Sequence, residues 1–158
     1  MAKYELDEID RKILSYLIAN ARMPFLEIAR ECGISGAAIH QRFKKLEEAD
    51  IIKGSKLIVN PKALGYDVCA FVGVQLNKPD LRSKAIELVE SIHEVVECHF
   101  ITGRSSMLLK MYCINNDHLM DVIVKKIQQI PGVSHTETFL SLDEPFNQRE
   151  VDILEQRG

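Results

Sequence analysis

Residues Phe25–Leu46 set a glycine between two short segments of helical periodicity, and this limits the fold more than any other stretch of the chain. Ile28, Ala29 and Cys32 fall on one apolar stripe. Gly33 can take the positive φ of a helix C-cap, Ile34 can plug the turn, and Ser35 is a good N-cap for a second helix. Ile39, Phe43 and Leu46, spaced four and three, share the inward face of that helix. At about 100° per residue, Ala37, His40, Gln41, Lys44 and Lys45 lie on the opposite side. The pattern predicts a helix-turn-helix, whose second helix can enter a DNA major groove.

The candidate DNA-contacting residues are Ser35, Gly36, Ala37, Ala38, His40, Gln41, Arg42, Lys44 and Lys45. A small Ala37 lets the backbone approach a groove. His40 and Gln41 can hydrogen-bond base edges, and Lys44 and Lys45 can meet phosphates. Arg42 lies nearer the seam, where it suits a phosphate contact or an internal ion pair. The same face would also serve as an ordinary solvated surface.

Composition sets outer limits. The 158 residues, 46% hydrophobic and 27% charged, suit one medium or two small globular domains. No run of about 18 apolar residues predicts a membrane span. The start, Met-Ala-Lys-Tyr-Glu-Leu-Asp-Glu, carries no apolar signal core, so a cytoplasmic protein is expected. Cys32, Cys69, Cys98 and Cys113 are scattered and read as buried small hydrophobes in a reducing compartment. No metal-ligand spacing or ordered catalytic pair emerges, and no enzyme or metal site is expected. The net charge of −3 is unlike that of a nucleic-acid binder, but its distribution is uneven. Residues 1–60 carry net +1 and residues 61–158 net −4. So weak a charge calls for several copies acting together on DNA.

Asp7 is placed to cap a first helix with the stripe Ile9, Ile13, Leu14, Leu17 and Ile18. Residues 1–60 thus form a three-helix DNA-binding domain with a linker strand at Lys56–Val59, and residues 61–67 form a linker. Residues 68–142 read as strand (Ala70–Leu76), helix (from Pro79-Asp80), strand (Val95–Thr102), strand (Met107–Ile114), helix (capped by Asn116 or Asp117) and strand (Val133–Leu142). Ile92-x-x-Val95 recurs as Ile130-x-x-Val133, 38 residues later. Two βαβ halves in tandem give a ferredoxin-like βαββαβ domain, so the fold class is α+β. Its helices cover one face of the sheet, and a second copy is expected on the other. Residues 143–158 form a polar tail, expected as a short helix or exchanged arm.

Leu6-Asp7-x-x-Asp10-x-x-Ile13-Leu14, Leu26-x-x-Ala29, Gly33-Ile34-Ser35, Ile39-x-x-Arg42-x-x-x-Leu46, Ile51-Ile52-x-Gly54, Asn60-Pro61, Leu64-Gly65-Tyr66, Thr102-Gly103 and Thr136-Glu137-Thr138 occur in order along the chain. Together they resemble the Lrp/AsnC, or feast/famine, family of transcriptional regulators over residues 5–142. Ile39-His40, Gly65-Tyr66-Asp67-Val68 and the loop Thr102–Ser106 look closest to its AsnC branch. The resemblance implies a winged-type helix-turn-helix domain that binds double-stranded DNA, and a domain for ligand binding and oligomerisation. It implies dimers that pair their sheets and linker strands and assemble into an octamer. It also implies an amino-acid effector, asparagine first, and no cofactor. The effector-binding residues it implies are Thr102, Gly103, Arg104, Ser105 and Ser106 in the loop, and Thr136, Glu137 and Thr138 on the last strand. Many members carry Gly-x-x-Asp at this loop, whereas Ser106 stands here, as in the AsnC branch. Arg104 could salt-bridge a ligand carboxylate or point to solvent. Two other readings remain. One is an architectural protein that wraps DNA by charge. The other is a siroheme-decarboxylase-like enzyme, a relative of the same layout, for which His93, His99, His118 and His135 would be candidates.

Overall fold

The computed structural model describes residues 4–146, and the chain divides between Ile58 and Val59 into a helical unit and a sheet unit. In the helical unit, α1 (Glu8–Ala19) begins at Asp7. The Asp7 carboxylate accepts from the Asp10 N–H at 2.8 Å, and the Asp10 carboxylate accepts from the Asp7 N–H at 3.3 Å. This reciprocal cap satisfies two donors that a helix start leaves orphaned. Helix α2 (Phe25–Cys32) stops at Gly33, which takes the left-handed conformation at φ +67°. Helix α3 (Gly36–Glu48) starts from Ser35, whose hydroxyl accepts from the Ala38 N–H at 3.2 Å. Ile13, Leu14, Ile28, Ala29, Ile39 and Leu46 are buried together, with Ile34 and Phe43 half-buried at the margin.

Ile18 is 45% exposed, because the last turn of α1 rotates it off the stripe that Ile13 and Leu14 share. Lys56–Val59 is not a strand. A strand needs a neighbour to take its backbone hydrogen bonds, and none pairs with it among the described residues. Leu57, Ile58 and Val59 are exposed accordingly.

The sheet unit contains β1 (Val68–Leu76), α4 (Arg82–Glu90), β2 (Val95–Phe100), β3 (Met107–Cys113), α5 (Asn116–Lys125) and β4 (Val133–Leu140). Asn115 caps α5, one residue before the expected position, by accepting from the His118 N–H at 2.8 Å. The strands lie in the order β2-β3-β1-β4, every neighbouring pair antiparallel. This is the ferredoxin-like arrangement, with the described helices packed on one face. Ala70, Val72, Val74, Met107, Leu109 and Met111 pack against Ala85, Val89, Leu119, Val122 and Ile123. Residues of the opposite parity, among them Phe71, Gln75, Leu108, Lys110, Tyr112, Glu137 and Phe139, line the other face.

Of the cysteines, Cys113 is buried and Cys32 and Cys69 half-buried, but Cys98 is exposed, because β2 is an edge strand with no described strand beyond it. Among residues expected to form the tail, 143–146 hold no helix, and 147–158 lie outside the described residues.

Candidate DNA interface and effector site

On α3 the most outward line runs through Ala37, Gln41 and Lys44, all exposed. His40 is exposed but stands against α2, its ring 4.6 Å from that of Phe25 and nearly perpendicular to it. This contact fixes the direction from which the imidazole can reach a base edge. The Lys44 ammonium lies 3.7 Å from the Glu48 carboxylate one turn on, an exposed pair of small worth that a phosphate could displace. Lys45 lines the other flank, with Ala38 and Gln41. The Ser35 hydroxyl is engaged at the cap.

Arg42 takes the internal alternative. One guanidinium nitrogen reaches both the Asp7 carboxylate and, at 2.8 Å, that of Asp10. Asp10 is only 1% exposed and also accepts from the Tyr4 hydroxyl at 3.2 Å. Burial pushes the Asp7 carboxyl up, but the Asp10 N–H and the Arg42 guanidinium outweigh it and hold it below the usual range. The two carboxylates in turn raise Arg42. The cluster ties the capped start of α1 to the middle of α3, so it sets how the exposed line of α3 is presented. Sequence reasoning could have found it: Asp7, Asp10 and Arg42 all occur in the motifs, and an arginine beside an apolar seam needs a carboxylate.

In the sheet unit the loop between β2 and β3 folds back over the open face. Gly103 turns it at φ +114°. Ser105 lies over Gly73 of β1 so closely that a Cβ there would stand 2.5 Å from the Ser105 hydroxyl oxygen. Beside this contact is a small open cleft of about 180 Å³, lined by Gln75, Arg104, Ser105, His135 and Glu137. It brings together a cation, a carboxylate and three further polar side chains.

The other expected effector residues lie elsewhere. The Ser106 hydroxyl accepts from the Leu76 N–H at 3.1 Å, and the Ser106 N–H donates to the Val74 carbonyl at 2.9 Å, so this residue secures the loop to β1. Thr136 faces the helix layer, where its hydroxyl accepts from the Gln128 amide at 2.9 Å. Thr138 shares its parity. Alternation therefore splits Thr136-Glu137-Thr138 between the two faces, and only Glu137 meets the loop. Thr102 is exposed and lines no part of the cleft. Gln75 was missed because nothing local marks it: it reaches the cleft through its pairing with His135 on β4. His99 and His135, two of the candidate histidines, stand on β2 and β4 at opposite edges of the sheet.

Further along the open face, Lys110 of β3 lies 3.2 Å from Glu144 and 3.8 Å from Glu97, over the rings of Tyr112 and Phe71. Burial pulls Lys110 down, but the hydrogen bond to Glu144 and the surrounding negative charge raise it overall.

A helix-turn-helix joined to a sheet domain with a polar cleft defines a class, the ligand-responsive DNA-binding regulators. Comparison with known proteins resolves the class further. Residues 6–53 match the winged helix-turn-helix DNA-binding family, and residues 69–151 match the Lrp/AsnC ligand binding domain. The chain belongs to the Lrp/AsnC family of transcriptional regulators. It is 39% identical to the regulatory protein AsnC of Escherichia coli over 146 residues, 92% of this chain and 96% of that one. It is 37% identical to the proline dehydrogenase transcriptional activator of Rhizobium radiobacter, over 86% of this chain and 88% of that one. The structure of E. coli AsnC superimposes with a TM-score of 0.85 at 38% identity, covering 93% of this chain and 99% of that one. The feast or famine regulatory protein of M. tuberculosis, complexed with L-methionine, gives 0.84 at 28% identity, with 93% and 99% covered. These relatives are regulators with a DNA-binding domain. No helix among the described residues is long and apolar enough to cross a membrane.

Proposed function

We propose that this chain is an asparagine-responsive, sequence-selective transcriptional regulator that acts in the cytoplasm as an assembly of dimers, up to an octamer. The observation that carries the effector reading is the cleft beneath the loop. Arg104 offers a guanidinium to an α-carboxylate, and Glu137 offers a carboxylate to an α-ammonium. Gln75, Ser105 and His135 supply donors and acceptors for a side-chain amide. Likeness to AsnC favours asparagine as the amino acid.

The DNA contacts are assigned to α3 and its cap. Gln41 and His40 read base edges from the major groove, with Gly36, Ala37 and Ala38 allowing close approach. Lys44 and Lys45 meet phosphate, and the Ser35 cap presents the helix. Arg42 is a positioning residue. Because Arg42 is paired with Asp7 and Asp10, and Lys44 with Glu48, little of the helix's charge stands unopposed. This favours selective reading over wrapping by charge alone. Phe71, Leu108, Tyr112 and Phe139 give the open sheet face an apolar surface for a second copy, and the exposed Leu57–Val59 segment is available to pair as a strand across the dimer.

The test is binding of the purified protein to its own upstream DNA against a scrambled duplex, with and without asparagine. Preference for the upstream DNA, altered by asparagine, is the expected result. Preference indifferent to asparagine overturns the effector. No binding to either duplex at low salt overturns the DNA reading. Alanine at Lys44 should lower affinity alike on all sequences and reduce the salt slope by about one unit.

A further inference from the structure

Leu26, the second residue of α2, is 69% exposed, the most exposed large apolar side chain on the three helices of its unit. It lies beside the start of α3. Its Cδ2 atom stands 3.2 Å from where a Cβ on Gly36 would lie, so it leans on the first residue of α3. Around it the leading turn of α3 offers no polar side chain to a partner. Gly36, Ala37 and Ala38 carry a methyl at most, and the nearest hydroxyl, that of Ser35 at the cap, already accepts from the Ala38 N–H and has its O–H left to donate. The first polar side chains of the exposed face, His40 and Gln41, come a turn later. The N-terminal residues of a recognition helix are those that meet base edges. Of the groups that bases present in the major groove, the thymine 5-methyl is apolar and the rest are donors or acceptors. A donor or acceptor pressed against the side chains of Leu26 and Ala37 would lose its hydrogen bond to water without replacement.

We propose that Leu26, with the methyl of Ala37 and the Cα of Gly36, forms an apolar contact that selects a thymine by its 5-methyl group. The inference rests on the DNA-binding assignment and adds a base preference to it. Leu26 then acts as a specificity-determining residue supplied by α2 rather than by the recognition helix itself.

The test uses the full chain and a duplex that it selects from a random-sequence pool. That duplex is resynthesised with each thymine replaced singly by deoxyuridine, which removes only the methyl group. The wild-type protein is expected to lose about fourfold in affinity at one or two positions, the worth of roughly one buried methyl. Leu26→Ala should bind the thymine and uracil duplexes equally at those positions, with an unchanged salt slope. Leu26→Met, which keeps the apolar bulk, should retain the preference. The exposed position lets both variants fold, which circular dichroism and the thermal midpoint verify. Uracil tolerated at every position, or a thymine preference undiminished in Leu26→Ala, overturns the proposal while leaving DNA binding intact. Failure to select any duplex, with no binding at low salt, overturns the DNA assignment and the thymine contact with it.

Discussion

Ala37, Gln41 and Lys44 share a face because a helix returns every 3.6 residues, whereas Gln75, Ser105 and His135 share a cleft although each stands 30 residues from the next. The first set is assembled by one segment of chain and held by a core of six buried side chains. The second exists only once β1 has paired with β4 and the loop has settled on Gly73. Each unit also holds a charged cluster that ties separate elements together. Arg42 clamps α1 to α3 through the buried Asp10. In the sheet unit Glu94 takes the Lys126 ammonium at 2.8 Å and the His118 ring at 3.1 Å, tying the start of β2 to α5. The difference teaches that a helical reading surface can be rebuilt one residue at a time, while the cleft depends on backbone register.

The sharpest way to break this comparison is to unfold one unit alone. Leu46 is fully buried, and Leu46→Ala should cost the helical unit about 3 kcal/mol. DNA binding should fall with it, while asparagine binding, measured by calorimetry, should stay. Loss of both together would show that the units are not separable.

Next in size is Arg42→Ala, expected to cost about 2 kcal/mol in urea unfolding, because Asp10 stays buried without its cation. Affinity for DNA should fall with the salt slope unchanged. A slope lower by about one would make Arg42 a phosphate contact instead.

On the sheet side, Gly73→Ala places a methyl 2.5 Å from the Ser105 hydroxyl oxygen, so that hydroxyl must turn away from its place at the cleft. Asparagine should bind at least tenfold more weakly, a loss of about 1.4 kcal/mol, while DNA binding without effector persists. Unchanged asparagine affinity would move the effector away from this cleft.

The smallest effect is on pH dependence. Burial raises the Glu94 carboxyl, but Lys126 and His118 bring it below the usual range, as the Asp10 N–H and Arg42 do for Asp7. A depressed carboxyl gives its full stabilisation above the unfolded value, about 4, and loses it as pH falls through the folded value. Both units should therefore weaken in acid below about pH 4. Asp7→Asn should flatten that decline in the helical unit alone, and Glu94→Gln in the sheet unit alone, followed by thermal unfolding at stepped pH.

Where function followed local pattern, the residues announced it. Gly33, Ser35 and the spacing of Ile39, Phe43 and Leu46 determined the turn, the cap and the buried side of α3, because caps and amphipathic faces depend on residues within one or two turns. The order βαββαβ was legible for the same reason: strand and helix periods differ, and Pro-Gly marks the stop after the second helix. The split of Thr136, Glu137 and Thr138 between two faces was not read, although strand alternation makes it unavoidable once the helix side of β4 is known. That side is fixed by Val72 and Val74 across the ladder, not by β4 itself. The strand expected at Lys56–Val59 fails alone for want of a partner, since a strand's backbone groups must be satisfied by another strand. Sequence alone thus determined the helices and the four sheet strands, the exposed face of α3 and the family. Only the tertiary structure decided which polar residues meet at the cleft and where Arg42 places its charge, because both depend on contacts between residues far apart in the chain.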